Sequence, residues 1–215
     1  MRFLHLLGRG VAVALVLSLG LGLAGTARAQ TIIDAWNSVK VPPPPVLKSV
    51  TVDPKTTALL VLDLLKQSCN DKVRPDCMTS IPKVSTLLSE ARAKSMLIVH
   101  SAFPGHTIAD TLPQVAPLGG EPSVVALADK FINTDLDKIL KEHGIKTVIV
   151  VGTAAEGAVL YTASDAAMRG LSVIVPVDGM SSADTYPEQY VAYQLTHGPT
   201  VSNHVTLTRS DMIKF

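Results

Sequence analysis

A carboxylate inside an apolar run is the first feature of this sequence that could do chemistry. Asp63 lies between Leu62 and Leu64, in the run from Ala58 to Leu65. Burying an ionised carboxylate is costly unless partners compensate for it, and acids with perturbed pKa values collect in clefts, where they work as general acids or bases. The structural alternative is an acid that caps a neighbouring backbone. We predict that Asp63 is a catalytic residue.

The two cysteines of the chain follow this run. Cys69 and Cys77 have seven residues between them. They could form a disulfide, which an oxidising compartment would preserve, or Cys69 could be a reactive thiol close to Asp63. The signs of export described below favour the disulfide. Closing so short a loop contributes about 2.5 kcal/mol by the chain-entropy estimate, and it would stiffen the segment.

Histidines and serines near other strand ends are weaker candidates. His100 and His106 have no Asp between them, so a zinc site built on this pair would lack a ligand. Ser68 and Ser101 belong to no nucleophile motif, and the chain contains no dinucleotide, phosphate-loop or G-x-S-x-G motif. We therefore predict neither a metal site nor a cofactor.

Apolar runs that alternate with helical patterns must position these residues. The predicted strands are Ala58–Leu65, Met96–His100, Thr147–Val151, Leu171–Val177 and His204–Thr208, and the predicted helices are Pro82–Lys94, Thr134–His143, Glu156–Arg169 and Pro187–His197. Alternation with short links predicts a doubly wound, Rossmann-like α/β/α sandwich with five or six mainly parallel strands. Ligands bind such sheets at the carboxyl ends of the strands.

The N-terminal residues are predicted to direct export. Arg2 and Arg9 precede an apolar run, and Ala27-Arg28-Ala29 forms a small-x-small cleavage site. This pattern indicates a signal peptide over residues 1–29, cleaved after Ala29, and hence a periplasmic or secreted protein. An uncleaved anchor is the alternative.

Two further segments fall outside the strand and helix pattern. Residues 30–56 contain four consecutive prolines, which predict an extended proline-rich arm ahead of a domain at residues 57–215. The irregular stretch 102–124 is rich in Pro and Gly, and long loops in compact domains are usually functional. We expect this stretch to be a lid or a pocket wall.

Composition limits the partners of the chain. It is 47% hydrophobic with 17% charged residues and a formal net charge of +1, which describes a globular protein without a basic field for nucleic acid. We predict a small-molecule substrate or ligand, no nucleic-acid partner, and no membrane contact after cleavage of the signal peptide.

Three stretches carry a family resemblance. They are Ala58-Leu-Leu-Val-Leu-Asp63, Phe131-Ile-Asn-Thr-Asp-Leu136, and Gly152-Thr-Ala-Ala-Glu-Gly-Ala-Val-Leu-Tyr-Thr162 followed by Asp165-Ala166. They resemble the first strand with its catalytic Asp, the F-x-x-T-x-L helix entry and the G-V-x-T-x-x-C-V-x-x-T-A-x-D-A segment of the isochorismatase-like hydrolases, or cysteine hydrolases. The resemblance implies an α/β/α fold, hydrolase chemistry and, as in many relatives, a homo-oligomer.

The same resemblance marks this chain as an atypical member. The position of the nucleophilic cysteine is Ala158, which offers no thiol, so a thioester route through this position is excluded. The family lysine would fall at Val125, about six residues before Phe131, whereas Lys130 directly precedes Phe131. Lys130 is either a second catalytic residue or a solvated loop lysine.

The turn from Gly152 to Gly157 needs no reactive side chain to act. The free N–H groups where a strand leads into a helix can bind an anion or an oxyanion. The small residues of this turn leave space for a ligand, and we predict that Thr153, Ala154 and Gly157 bind substrate. The resemblance also implies a cis peptide bond at Thr153–Ala154.

Two functions of different class follow from these residues. The first is an atypical hydrolase that acts on a small amide, ureide or vinyl ether by acid–base chemistry through Asp63, assisted by Lys130. Isochorismatases proper use the Asp in this way to protonate a vinyl ether. The second is a catalytically silent relative, which binds a small ligand or serves in an assembly. Similarity of fold does not decide between them.

Overall fold

A parallel β-sheet forms the centre of the domain in a computed structural model that describes residues 31–215. In chain order the strands are β1 (Val50–Thr51), β2 (Thr57–Leu62), β3 (Leu97–Ala102), β4 (Ser123–Val125), β5 (Thr147–Thr153), β6 (Ser172–Pro176), β7 (Met180–Ser181), β8 (Val205–Thr208) and β9 (Ile213–Lys214). The α-helices are α1 (Pro75–Ala93), α2 (Leu136–Glu142), α3 (Leu160–Met168) and α4 (Thr185–His197). The signal peptide predicted for residues 1–29 lies outside the described residues.

The sheet is doubly wound. Its order is β4-β3-β2-β5-β6-β8, with the short β7 paired to β5, and every pair is parallel. The chain builds outward from β2 on one side and from β5 on the other, so the strand order reverses between these two strands. This switch point is where ligands bind in such sheets. The predicted α/β/α sandwich is confirmed. The sheet has seven strands instead of the predicted five or six, because the short strands β4 and β7 were not predicted.

β2 shows why the apolar run becomes a central strand. All six of its residues are buried. Ala58, Leu60 and Leu62 face a core that includes the buried residues of α2, α3 and α4. Leu59 and Val61 face a second core, formed with α1. A strand covered by helices on both faces reads as a continuous apolar run instead of an alternating one.

α1 differs from its prediction. It begins at Pro75, seven residues before the predicted start at Pro82, and Pro82 lies inside it. Pro75 occupies the first turn, where a missing N–H costs nothing. Pro82 forgoes one helical hydrogen bond, but the flanking Ile81 and Val84 are buried in the core and hold the helix in place. The interpretation of Pro82 as a helix start was wrong.

The predicted helix at Glu156–Arg169 divides into two parts. Ala155–Val159 forms a π-helical turn, and α3 follows at Leu160–Met168. π-turns are rare and occur frequently at functional sites. This one follows directly on β5, at the carboxyl edge of the sheet.

The stretch predicted as a lid folds mainly against α1. It contains two short 3₁₀ helices, Ile108–Asp110 and Pro113–Val115, before it reaches β4. Val115 is buried in the core on the α1 side, and Arg92 of α1 donates to the Ala116 carbonyl at 2.8 Å. Most of this stretch therefore covers the sheet.

The described chain divides into two units, of which the first ends at Pro42 and the second spans residues 43–215. In the first unit, Trp36–Ser38 forms a short 3₁₀ helix. In the second, β1 pairs in parallel with β9, so the last residues of the predicted arm join the domain. Within residues 31–215, no helix has the length and apolar character needed to cross a membrane.

Candidate active site

Asp63 is the first residue after β2, at the switch point of the sheet. Its backbone takes a left-handed conformation, with φ of 52°, and its side chain is buried. Ser101, at the end of the neighbouring β3, donates its hydroxyl to Asp63 Oδ1 at 2.7 Å. The Asp63 N–H in turn donates to Ser101 Oγ at 3.2 Å. Ser101 therefore orients the carboxylate.

Lys130 reaches Asp63 and is not a solvated loop lysine. Its side chain has 0% exposure, and Nζ donates to Asp63 Oδ2 at 2.7 Å. The same Nζ donates to the backbone carbonyls of Ala126, at 2.9 Å, and Leu127. Val125, where the resemblance would place the family lysine, lies on β4 with its side chain exposed.

Burial and hydrogen bonding act in opposite directions on this pair. Burial raises the pKa of Asp63 above its ordinary value, although Lys130, Ser101 and Arg74 oppose the rise. Burial likewise lowers the pKa of Lys130, and Asp63 opposes the fall.

The hydrogen-bond pattern indicates where the shared proton lies. The three acceptors around Lys130 Nζ require three N–H donors, which only the ammonium form has. Both oxygens of Asp63 act as acceptors, as a carboxylate does. The resting state is therefore an ion pair in which Asp63 is available as a base.

Backbone forms the opposite side of the site. Gly152 faces Leu62 across the β2–β5 ladder, and a Cβ at Gly152 would lie 2.1 Å from the Leu62 carbonyl oxygen. Only glycine permits this approach, and its φ of 141° is also one that side chains rarely adopt. The peptide bond Thr153–Ala154 is cis, as the resemblance implies. The π-turn then places its first N–H groups at the edge of the sheet, where a helical turn leaves them without helical partners.

These groups surround a cavity of about 340 Å³. Asp63 and the strand-to-helix turn line the same cavity, and so does Ala158, which contributes a methyl group. The lining residues are Asp63, Gln67, Ser68, Arg74, Phe103, Leu127, Ala128, Thr153, Ala154, Gly157 and Ala158. The structure thus brings the predicted substrate-binding residues together with Asp63, and Lys130 lies behind Asp63, bonded to it.

The cysteines lie beside this cavity but offer no thiol. Cys69 and Cys77 form a disulfide, with their Cα atoms 5.3 Å apart. They are the two cysteines of the sequence, so neither is available as a nucleophile while the bond is intact. Ser68, next to Cys69, donates its hydroxyl to the Asp63 carbonyl. The loop is thereby connected to the site.

The histidines lie apart from the cavity lining. His100 is buried and forms a hydrogen bond of 2.8 Å with Glu121, which also pairs with Arg92. His106 is half-buried and lies 3.9 Å from Asp110. No group of three or more metal-ligating side chains occurs in the part of the chain that the structure describes.

Sequence reasoning missed five lining residues, of which Arg74 and Phe103 bring a charge and an aromatic ring; the others are Gln67, Leu127 and Ala128. Arg74 belongs to the disulfide loop, and Phe103 is the residue of the stretch 102–124 that reaches the cavity. Phe103 was within reach of prediction because it directly follows a strand. Arg74 gives no comparable signal, because its position depends on how the disulfide loop folds.

A doubly wound sheet that holds a buried acid–lysine pair and a cis-peptide turn at its switch point defines the isochorismatase-like class of α/β hydrolases. The isochorismatase domain model matches residues 57–206 of this chain. The chain belongs to the isochorismatase family.

Individual relatives agree with this assignment. The secreted isochorismatase effector Isc1 of Verticillium dahliae is 28% identical over 146 residues, which cover 62% of this chain and 77% of the relative. The solved structure of an isochorismatase-like hydrolase from Alkaliphilus metalliredigens is 27% identical, with a TM-score of 0.65. The match covers 73% of this chain and 95% of the hydrolase chain. The N-carbamoylsarcosine amidase of Thermoplasma acidophilum shares the fold, at 23% identity and a TM-score of 0.63. The match covers 73% of this chain and 97% of the amidase chain.

Proposed function

We propose that this chain is an atypical isochorismatase-like hydrolase, which cleaves a small amide, ureide or vinyl ether by acid–base chemistry without a cysteine nucleophile. One observation carries the proposal. Asp63, which is ion-paired with the buried Lys130, lines a cavity in which Ala158 takes the position that the family motif gives to cysteine.

For an amide or ureide, Asp63 acts first as a base. It removes one proton from a water molecule while the water oxygen forms a bond to the carbonyl carbon, and the carbonyl oxygen becomes negatively charged. The N–H groups of the turn from Thr153 to Ala158 stabilise this charge. The C–N bond then breaks, the carbonyl re-forms, and the leaving nitrogen takes the proton from Asp63. Lys130 keeps Asp63 oriented and ionised between turnovers.

For a vinyl ether, Asp63 would act first as an acid. It would protonate the terminal carbon, water would add to the resulting cation and return a proton to Asp63, and the hemiketal would collapse to a ketone and an alcohol. This route needs Asp63 protonated at the start. The raised pKa of Asp63 helps, but the ion pair with Lys130 favours the base route, so amides and ureides come first among substrates.

One observation favours the second candidate, a silent binding or assembly protein. Ala158 lacks a thiol, and both cysteines are in a disulfide. A cavity of this kind would still bind a small amide or acid. The two candidates differ in whether any member of a substrate panel is turned over.

The test is a hydrolysis screen of amides, ureides and vinyl ethers. Asp63→Asn keeps the shape of the side chain and removes its acid–base function, so turnover should fall about 10²-fold or more. Because Asp63→Asn leaves Lys130 charged and buried, folding is checked by circular dichroism. Ser101→Ala is the milder variant: it removes a hydrogen bond that lowers the pKa of Asp63, so the acid limb of the pH–rate profile should move to higher pH.

Ala158→Cys separates the two candidates. Wild-type turnover that survives alkylating reagents and falls in Asp63→Asn supports the thiol-free hydrolase. If the wild type turns over nothing and Ala158→Cys gains amidase activity, the silent relative is correct. Turnover that is unchanged in Asp63→Asn would refute the assignment of the acid–base residue.

We also propose that the protein works outside the cytoplasm. Disulfides form and persist in oxidising compartments, and this chain has one between Cys69 and Cys77. The Verticillium relative is named as secreted. Mass spectrometry of the exported protein should show an N-terminus at Gln30 and a mass two hydrogens below that of the reduced form. Light scattering, with and without residues 30–50, tests the proposed homo-oligomer and the part that the arm plays in it.

A further inference from the structure

Arg74 places a positive charge in the wall of the active-site cavity. It lines the cavity together with Asp63 and the turn that carries Ala158, and it is close enough to Asp63 to lower the pKa of that carboxyl. The chemistry proposed above makes no use of this guanidinium.

The hydrogen bonds of Arg74 are incomplete. Nη1 donates to the Ser68 carbonyl at 3.0 Å. Nε is shielded from solvent and has no hydrogen-bond partner among residues 31–215. A buried donor without a partner is uncommon in native proteins and calls for an explanation, such as an absent ligand. Within residues 31–215, Nη2 forms no hydrogen bond, and the terminal nitrogens of a guanidinium can bind a carboxylate through two parallel hydrogen bonds.

The charge of Arg74 is also uncompensated. No carboxylate in the described chain lies within ion-pair distance of its guanidinium. Asp63 is the one acid of the cavity lining, and Lys130 and Ser101 already occupy its two oxygens. Because Asp63 and Lys130 neutralise each other, the cavity carries a net positive charge that comes from Arg74.

The loop holds Arg74 in a defined place. The disulfide between Cys69 and Cys77 brackets it, and its backbone N–H donates to the Asn70 carbonyl at 2.9 Å. Pro75 follows at the start of α1. A guanidinium on a fixed loop loses little freedom when a ligand binds, which favours specific recognition.

We propose that Arg74 binds a carboxylate of the ligand, so that the substrate of this cavity is a small monoanion that carries a carboxylate and the cleavable bond on one molecule. This inference rests on the proposed function, which identifies the cavity as the substrate site. The carboxylate lies against the terminal Nη groups of Arg74, and the neutral amide or ureide end lies between Asp63 and the turn at Thr153–Ala158.

Binding, measured by calorimetry without turnover, tests the proposal. The probes are malonamate, succinamate and glutaramate, each compared with its neutral diamide, because the series varies the distance between carboxylate and amide. The wild type should bind at least one carboxylate about tenfold or more tightly than its diamide, as expected for a charge-assisted bidentate pair. Arg74→Gln should reduce the ratio to about one, because carboxylate binding should weaken more than diamide binding. Arg74→Lys should retain part of the carboxylate preference, because the charge remains. It should not retain all of it, since an ammonium cannot offer two parallel donors.

Lys72→Gln is the matched control. It removes the same charge from the same loop, but Lys72 is exposed and lies outside the cavity lining, so the carboxylate preference should persist. A wild type that binds no carboxylate of the series, or shows no preference for it, would overturn the proposal. So would a preference that survives in folded Arg74→Gln or Arg74→Lys unchanged, or that disappears equally in Lys72→Gln. A carboxylate preference in a protein that turns over no member of the hydrolysis panel would uphold this inference and refute the hydrolase proposal.

Discussion

Replacing Lys130 by methionine isolates the energetics of the buried ion pair. Methionine keeps a long apolar stem but removes the ammonium, which is fully buried and bonded to Asp63. The Asp63 carboxylate then remains in the interior without its counter-ion. Breaking a buried pair by removing one partner typically costs about 3–5 kcal/mol. We expect a loss of that size in the free energy of unfolding near pH 8.

The loss should depend on pH, and the direction follows from the pKa of Asp63. Burial already raises this pKa above 3.8, and Lys130 is the largest influence that opposes the rise. Without Lys130 the pKa rises further. A raised folded-state pKa gives stability that is fully present below the unfolded-state value and is lost as pH rises through the folded-state value. The deficit of Lys130→Met should therefore shrink as the pH falls toward about 4.

Urea unfolding followed by far-UV circular dichroism is the appropriate assay. Trp36 is the one tryptophan of the chain and is exposed, so its fluorescence would report poorly on the core. The double variant Lys130→Met/Asp63→Asn removes both charges and should recover most of the lost stability near pH 8. A deficit that is independent of pH, or a double variant as unstable as the single one, would refute this account of the pair.

Two other substitutions test the surroundings of the pair. Gly152→Ala should lower the free energy of unfolding by about 3 kcal/mol or more in thermal denaturation, because its Cβ meets the Leu62 carbonyl at 2.1 Å. Gly170→Ala, also at positive φ but with no atom within 4 Å of its Cβ, should cost only about 1 kcal/mol; equal losses would contradict the close approach. Replacing both Cys69 and Cys77 by serine should cost about 2.5 kcal/mol and weaken carboxylate binding, and an unchanged urea midpoint would argue against a stabilising disulfide.

The fold and the position of Asp63 could be predicted from the sequence. Asp63 stands out because a carboxylate that directly follows an apolar strand, inside an apolar run, has few structural uses. The strand itself is long enough to recognise. β4 was missed because its three residues are too few for a periodic signal, and they follow a stretch rich in proline.

The positions of the Lys130 and Arg74 side chains could not be predicted from the sequence. The direction of the Lys130 side chain is set by the carbonyls of Ala126 and Leu127 and by its partner Asp63, which lies 67 residues away. Arg74 reaches the cavity because the disulfide folds its loop back on the strand end. In both cases a contact distant in sequence decides where the side chain lies, and local patterns carry no information about such contacts.

The pairing of β1 with β9 implies an order of assembly. Val50 and its partner Ile213 are about 160 residues apart, so this contact has a very large loop to close and forms slowly compared with local structure. A chain is synthesised from its N-terminus, so residues 48–52, which bond to Leu207 and Lys214, are fixed only after the last strands have formed. Until then residues 48–52 are accessible to proteases, and cleavage within them would report whether the last strand has docked.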